Sequence, residues 1–375
     1  MIVLQVLPAL EGGGAQLSAL ETVAAIAAAG GTALVASGGG RMVPRIADAG
    51  GRHVALPLDT RNPLAVWRNA ARIRDLLRAE RVDLLHAHSR AVAWSALWAA
   101  RRAGIPFVTT WHGAYGEGFP LKRRYNAVMA AGDRVIAVSR FIAARIAARH
   151  GLAPPRLCVV PPGIDPDRFD MDIVSEARKA ALVRAWALPE GRPVIMLPAR
   201  LARWKGQPLL IAALARLSNR AAIAVLVGPV EGRGRYVSEL KSQATSLGLV
   251  GRVFLVGGTD DMPAALALAD IVVNASTEPE AFGRVVIEAQ AMARPVVVAD
   301  HGAAPETVSE GETGWRVTPG DAAALAAALD RALALPASAR AAMGARARAS
   351  VIRSYSLVAM QTATLAIYRE LLARG

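Results

Sequence analysis

The sequence predicts an α/β protein built from two doubly wound parallel sheets. Three observations carry that expectation. Short apolar runs alternate with helix-patterned segments from end to end, which is the βα rhythm of a parallel sheet. The rhythm halts once, at Pro161-Pro162-Gly163-Ile164-Asp165-Pro166-Asp167, a turn-rich stretch, and then resumes. At 375 residues the chain is also long for a single core. Two sheets imply two domains facing a cleft, and ligands of open α/β sheets bind beyond the carboxyl ends of the strands.

The first strand is expected over residues 2–7, which are apolar apart from Gln5. A loop, Glu11-Gly12-Gly13-Gly14, leads from it into a helix from about Ala15 to Ala29. Apolar runs at 32–36, 82–86, 105–110, 133–138 and 157–160 read as further strands, with helical patterns such as 63–79 and 139–149 between them. After the pause, a helix-like piece at about 174–187 ends before Pro189-Glu190-Gly191. Strands follow at 193–197, 221–227, 252–256, 270–273 and 295–299. Ala-rich helices over 321–335 and 338–350 close the second series. A last helix, about 355–373, is expected to pack back onto the first domain. The expected division is 1–170, 171–352 and the returning helix 353–375.

Composition narrows the setting. Residues Thr22 to Gly40 carry no charge, yet Ala and Gly dominate them and Gly30-Gly31 splits them into helix and strand, so no membrane span is read there. Residues 1–10 lack the basic start of a signal peptide. The one cysteine, Cys158, excludes an internal disulfide and suits a reducing compartment. The expected location is the cytoplasm, with peripheral attachment to the inner face of an anionic membrane as a further option. The net charge is +14; the first 170 residues hold 21 basic and 12 acidic side chains, the remainder 23 and 18. Lys122-Arg123-Arg124 is the densest point. A basic face suits anionic lipid, nucleic acid or an anionic sugar acceptor. A compositional preference for Arg explains it as well, because only four of the 44 basic residues are Lys. Nucleic acid is set aside, since no aromatic-studded basic stripe or binding motif occurs.

The most informative stretch is Glu280-Ala281-Phe282-Gly283-Arg284-Val285-Val286-Ile287-Glu288. Its first carboxylate falls in a loop and its second inside a helix, on the order of 10 Å apart at about 1.5 Å of rise per residue. That span matches a sugar and a ribose joined by a diphosphate, and the helix start between them suits an anion. Glutamates at such places also cap helices. Arg200 and Lys205, just past the strand at 193–197, suit a diphosphate leaving group, or form a solvated basic loop with Arg203. Gly13 and Gly14 can bring backbone close to a phosphate or sugar, or make a tight turn. The loop is neither a G-x-G-x-x-G fingerprint nor a P-loop. His112 follows the strand at 105–110, at the carboxyl end where catalytic groups gather, although a lone His is commonly structural. His86-x-His88 alternates onto one face, as metal ligands would, but lacks a clear third ligand. No Asp-x-Asp triplet is assigned to hold a metal against a diphosphate, so a metal-free mechanism is expected. No serine-hydrolase elbow is present.

Taken together, these motifs resemble the retaining GT-B glycosyltransferases of glycosyltransferase family 4. The resemblance rests on Gly13-Gly14-Ala15-Gln16, His86-Ala87-His88-Ser89, Trp111-His112-Gly113, Ala137-Val138-Ser139-Arg140, Pro162-Gly163-Ile164-Asp165, Arg200-x4-Lys205 and Glu280-x7-Glu288. It implies two Rossmann-like domains, the first on the acceptor side and the second binding the nucleotide-sugar. It implies that Glu288 holds the ribose, that Glu280 and the N–H groups of Phe282 and Gly283 hold the transferred sugar, and that Arg200 and Lys205 clamp the diphosphate. Gly13 and Gly14 approach the phosphates, His112 contacts the sugar and Gln16 faces the acceptor. Where the family often has Pro and Leu, this chain has Ala281 and Arg284; Arg284 is read as meeting an anionic donor or acceptor or, by slight preference, as facing solvent. The implied reaction moves a hexosyl unit, with retention and without cofactor or metal, from a nucleotide-diphosphate sugar to a glycan or lipid-linked acceptor. Lipopolysaccharide, glycolipid or exopolysaccharide synthesis would use such a step. A nucleotide-sugar epimerase of the same fold and a non-catalytic nucleotide-sugar-binding subunit are the rival readings.

Overall fold

A computed structural model of the protein describes every residue except Arg61, Glu117, Phe119 and Gly375. The chain forms two units, Met1–Gly163 with Leu357–Gly375, and Ile164–Ser356. The polypeptide therefore passes between units at 163/164 and 356/357, where the sequence reading places the breaks at 170/171 and 352/353.

The first unit is a seven-stranded parallel sheet. Its strands are β1 (Ile2–Val6), β2 (Thr32–Ser37), β3 (Arg52–Ala55), β4 (Leu84–Ala87), β5 (Phe107–Trp111), β6 (Arg134–Ala137) and β7 (Leu157–Val159), in the order β3-β2-β1-β4-β5-β6-β7. The second unit is a six-stranded parallel sheet of β8 (Val194–Pro198), β9 (Ile223–Val227), β10 (Val253–Gly257), β11 (Ile271–Asn274), β12 (Val296–Ala299) and β13 (Gly314–Val317), in the order β10-β9-β8-β11-β12-β13. These are the two doubly wound sheets the alternation predicts. In each, the order reverses at one place, between β1 and β4 and between β8 and β11, and that reversal opens a crevice past the strand ends.

The central strands are apolar on both faces because helices cover both. Val3, Leu4, Leu84, Leu85, Ile195, Met196, Ile271 and Val272 are all buried. Two edge strands, β3 and β13, escape the apolar-run criterion. Strand β3 exposes Arg52 and Ala55, and β13 is four residues long and includes Gly314 and Arg316. An edge strand is half solvated, so it needs no continuous hydrophobic run.

Helices start and stop where their caps dictate. Asn62, Ser89, Ser139, Ser175, Asp261 and Asp321 each accept a hydrogen bond from an N–H of the following first turn. Gly104 and Gly151 end two helices in the left-handed conformation. The helices Gly14–Ala28 and Arg284–Ala291 differ, for glycine, which has no side chain to cap with, occupies the cap position of each. The uncharged stretch at 22–40 divides as expected, with a helix ending at Ala28 and β2 beginning at Thr32. Among the described residues, no single helix is long and apolar enough to cross a membrane.

The last helix, Leu357–Leu372, lies in the first unit against Gly14–Ala28. Its Tyr368 is fully buried, Gln361 bonds the Glu21 carbonyl at 3.0 Å, and Glu370 pairs with Arg134 at 2.5 Å.

Candidate active site

In the second unit, the loops after β8 and β11 are locked together by backbone. Gly206 has φ +78°, and a Cβ there would lie 1.9 Å from the Ala275 carbonyl oxygen. Only glycine permits that approach. The Thr277 N–H donates to the Trp204 carbonyl at 2.7 Å, and Gln207 Nε2 to the Arg200 carbonyl at 3.1 Å. The segment from Arg200 to Lys205 is thereby held beside Ser276 and Glu280.

Lys205 Nζ forms an ion pair with Glu280 Oε1, both side chains being mostly buried. Ser276 Oγ donates to the same oxygen at 2.5 Å, and His301 Nε2 donates to the Ser276 carbonyl at 2.8 Å. Behind the carboxylate, the Ala303 N–H meets the Glu280 carbonyl at 3.1 Å, where Gly302 leaves no room for a Cβ. The ammonium of Lys205 lies 4.1 Å from the Trp204 ring centroid and the guanidinium of Arg200 lies 5.5 Å from it, so one indole holds both cations near its face. Arg203 is engaged elsewhere, on Glu239 and over the Tyr236 ring.

Phe282 is buried edge-on against Tyr355, and Gly283 turns the chain with φ +80° into the helix that carries Glu288. Arg284 corrects one expectation. Its side chain is only 14% exposed and its Nε lies 3.6 Å from Glu288 Oε1, so it faces the proposed ribose carboxylate, not solvent. Spacing explains this, since residues four apart share a helix face.

In the first unit, the reversal at β1 and β4 gathers the glycine loop and three histidines. Gly12 and Gly13 have φ of +132° and +129°, and Gly14 begins the first helix. Gln16 Nε2 reaches the Ala9 carbonyl at 3.4 Å. Arg41 bonds the Glu11 carbonyl, with its guanidinium 3.0 Å from where a Cβ on Gly12 would sit. This cation above the loop escaped the sequence reading, although it follows a second glycine run, Gly38-Gly39-Gly40.

The histidines form a connected set. His86 bonds Tyr368 Oη through Nδ1 at 2.6 Å and Thr110 Oγ1 through Nε2 at 2.7 Å. His88 bonds Gln5 Oε1 through Nε2 at 2.8 Å and His112 Nε2 through Nδ1 at 3.0 Å. Burial, with His112 adding repulsion, lowers the His86 pKa to about 3. Burial with the neighbouring His86 and His112 holds His88 well below its ordinary value. Both rings are neutral near pH 7. A cavity of about 20 Å³, room for about one water, lies beside the rings and the hydroxyls of Ser18, Thr22 and Thr364.

Among the described residues, no group of three or more His, Cys, Asp or Glu is placed to hold a metal ion. Two Asp-x-Asp triplets do occur, at 165–167 and 170–172, and both serve turns. Asp165 accepts from the Asp167 N–H at 3.0 Å, Asp170 accepts from the Asp172 N–H at 3.0 Å, and Asp170 also pairs with Arg348.

Residues 12–168 match the family described as Glycosyltransferase Family 4, and residues 179–350 match Glycosyl transferases group 1. The chain is similar to the GDP-mannose-dependent alpha-(1-6)-phosphatidylinositol monomannoside mannosyltransferase of Mycolicibacterium smegmatis. The two are 33% identical over 302 residues, covering 78% of this chain and 69% of that protein. A glycosyltransferase structure from Rickettsia africae superposes with a TM-score of 0.90 at 31% identity, covering 100% of this chain and 99% of the other. HepE of Anabaena, solved in complex with UDP-glucose, superposes with a TM-score of 0.87 at 26% identity, covering 99% and 100%.

Proposed function

The chain belongs to glycosyltransferase family 4 and is a glycosyltransferase, and from that premise we propose that it moves a hexosyl unit from a nucleotide-diphosphate sugar to a glycan or lipid-linked acceptor with retention of configuration. The observation that carries the reading is the Lys205–Glu280 pair, propped by Ser276 and His301 at the reversal of the second sheet. In this reading the arriving diphosphate takes up the charge of Lys205 and Arg200. Glu280 is released to accept hydrogen bonds from sugar hydroxyls, together with the N–H groups of Phe282 and Gly283. Glu288, braced by Arg284, accepts from the ribose hydroxyls. Gly13 and Gly14 serve the phosphates, His112 the sugar and Gln16 the acceptor.

The anomeric C–O bond to the diphosphate breaks and a C–O bond to the acceptor forms on the same face. The acceptor proton passes to the departing phosphate oxygen. Fixed cations stabilise the charge that grows on that oxygen, and no metal is assigned a part. The relative that acts on a phosphatidylinositol mannoside and the basic first 170 residues support an anionic, lipid-linked acceptor at the inner face of the cytoplasmic membrane. Lipopolysaccharide, glycolipid or exopolysaccharide synthesis is the setting this suits.

A thermal-shift screen of nucleotide-sugars tests the donor assignment, because a ligand of the folded form raises the midpoint. One base and one sugar should stand out, and a silent screen would count against the reading. EDTA should leave the transfer rate unchanged; its abolition by chelator would bring a metal into the mechanism.

A further inference from the structure

The hydrogen-bond roles around His112 follow from one fixed end. A backbone carbonyl can only accept, so it is the amide nitrogen of Gln5 that faces the Ala19 oxygen, at 3.1 Å. The Gln5 oxygen then faces His88 Nε2 at 2.8 Å, and Nε2 must carry a proton. A fully buried His88, with two further imidazoles beside it, is neutral and carries no second proton. Its Nδ1 is therefore a lone pair, and the partner 3.0 Å away, His112 Nε2, must donate.

We propose that His88, anchored by Gln5, is a positioning residue that holds the His112 ring by accepting the proton on its Nε2, so that the opposite edge of the ring is presented to a hydroxyl of the transferred sugar. The tautomer follows from the first unit alone; its consequence for the sugar rests on the contact proposed above for His112. The opposite tautomer would set two N–H groups, or two lone pairs, against each other along the chain and would leave a buried polar atom unpaired. Gln5, the one polar residue of β1, is thereby explained as the fixed end of the chain.

Nitrogen-15 spectra of the imidazoles in the full-length protein read the tautomer with no substrate present. His112 should show a protonated Nε2. His88→Asn keeps an oxygen near the place of the lost Nδ1 and should preserve that pattern, whereas His88→Leu removes the acceptor and should mix the tautomers. In transfer assays His88→Leu should lower kcat/KM for the donor about tenfold, the loss of one hydrogen bond, and His88→Asn should recover most of it. An unprotonated Nε2 on wild-type His112, or an unchanged pattern in His88→Leu, overturns the proposal. Should His88→Leu fail to fold, Gln5→Leu removes the fixed end and should mix the tautomers of both rings; a His112 that stays wholly protonated at Nε2 there also overturns it. A His112→Ala variant with wild-type donor kinetics would instead remove the sugar contact, leaving the spectra alone to judge the tautomer.

Discussion

The two units meet the same problem, polar groups gathered past the ends of buried strands, in opposite ways. The second unit uses charge: Lys205 against Glu280 and Arg284 against Glu288, each pair mostly buried. The first uses neutral rings, with His86 and His88 held uncharged by burial and fully hydrogen-bonded. Buried ions are costly unless paired, so the charged set is the one an anionic ligand can rearrange. The neutral set holds a fixed geometry. In the proposed mechanism the contrast becomes a division of labour, charge for binding and leaving-group departure and neutrality for orientation.

The sharpest way to break that division is Lys205→Ala. It should lower turnover by roughly 10²–10³, as for other fixed charge stabilisers, and it leaves Glu280 buried without its cation. Wild-type turnover would show that the ion pair is structural. Glu288→Ala should act on binding, weakening donor affinity by roughly 10–100-fold, the range for a hydrogen bond to a charged group. Calorimetric titration would read this, and unchanged affinity would remove the ribose assignment. Acidification tests the neutral set. In the unfolded chain these histidines take up protons below about 6.5, whereas folded His86 resists protonation until about 3. The unfolded state binds more protons in that window, so stability falls as pH drops from 6.5 towards 3, by up to about 1.4 kcal/mol per pH unit for each ring. Melting curves of the wild type and of His86→Asn at pH 6.5 and 4.5 should show a shallower fall in the variant, and identical slopes would contradict the assignment. Arg203→Ala should do least. It shares a loop with Arg200 and Lys205 but pairs with Glu239 at the surface, so stability should change by less than about 0.5 kcal/mol. A large loss of turnover would mean the functional cations of this loop are misassigned.

Much of this was legible in the sequence because parallel strands buried on both faces announce themselves as apolar runs. The missed strands, β3 and β13, are four-residue edge strands whose apolar runs are broken by Arg52 and His53 in one and by Gly314 and Arg316 in the other. The site was legible as residue types at strand ends: Arg200, Lys205, Glu280, Phe282 and Gly283 do lie on two loops joined by backbone contact at Gly206 and Ala275. What spacing could not reveal is which partner each polar group takes. That Lys205 meets Glu280 and that Arg41 lies over Gly12 depend on loops distant in sequence, whereas the Arg284–Glu288 contact, four residues apart on one helix, was open to a spacing argument. Gln5 carried a usable signal, a lone amide in an apolar strand. Ser276, His301 and Tyr368 carried none, since only folding brings them to Glu280 and His86.

The returning helix has a consequence for how the protein is made. Residues 164–356 contain every strand of their own sheet, so that portion is complete before synthesis ends. The amino-terminal portion is not, for Tyr368, the partner of His86, is translated after the whole of residues 164–356. Of the two units, the one begun earlier is therefore completed later, and a stop codon just after residue 356 would leave the sheet of residues 2–159 without its covering helix.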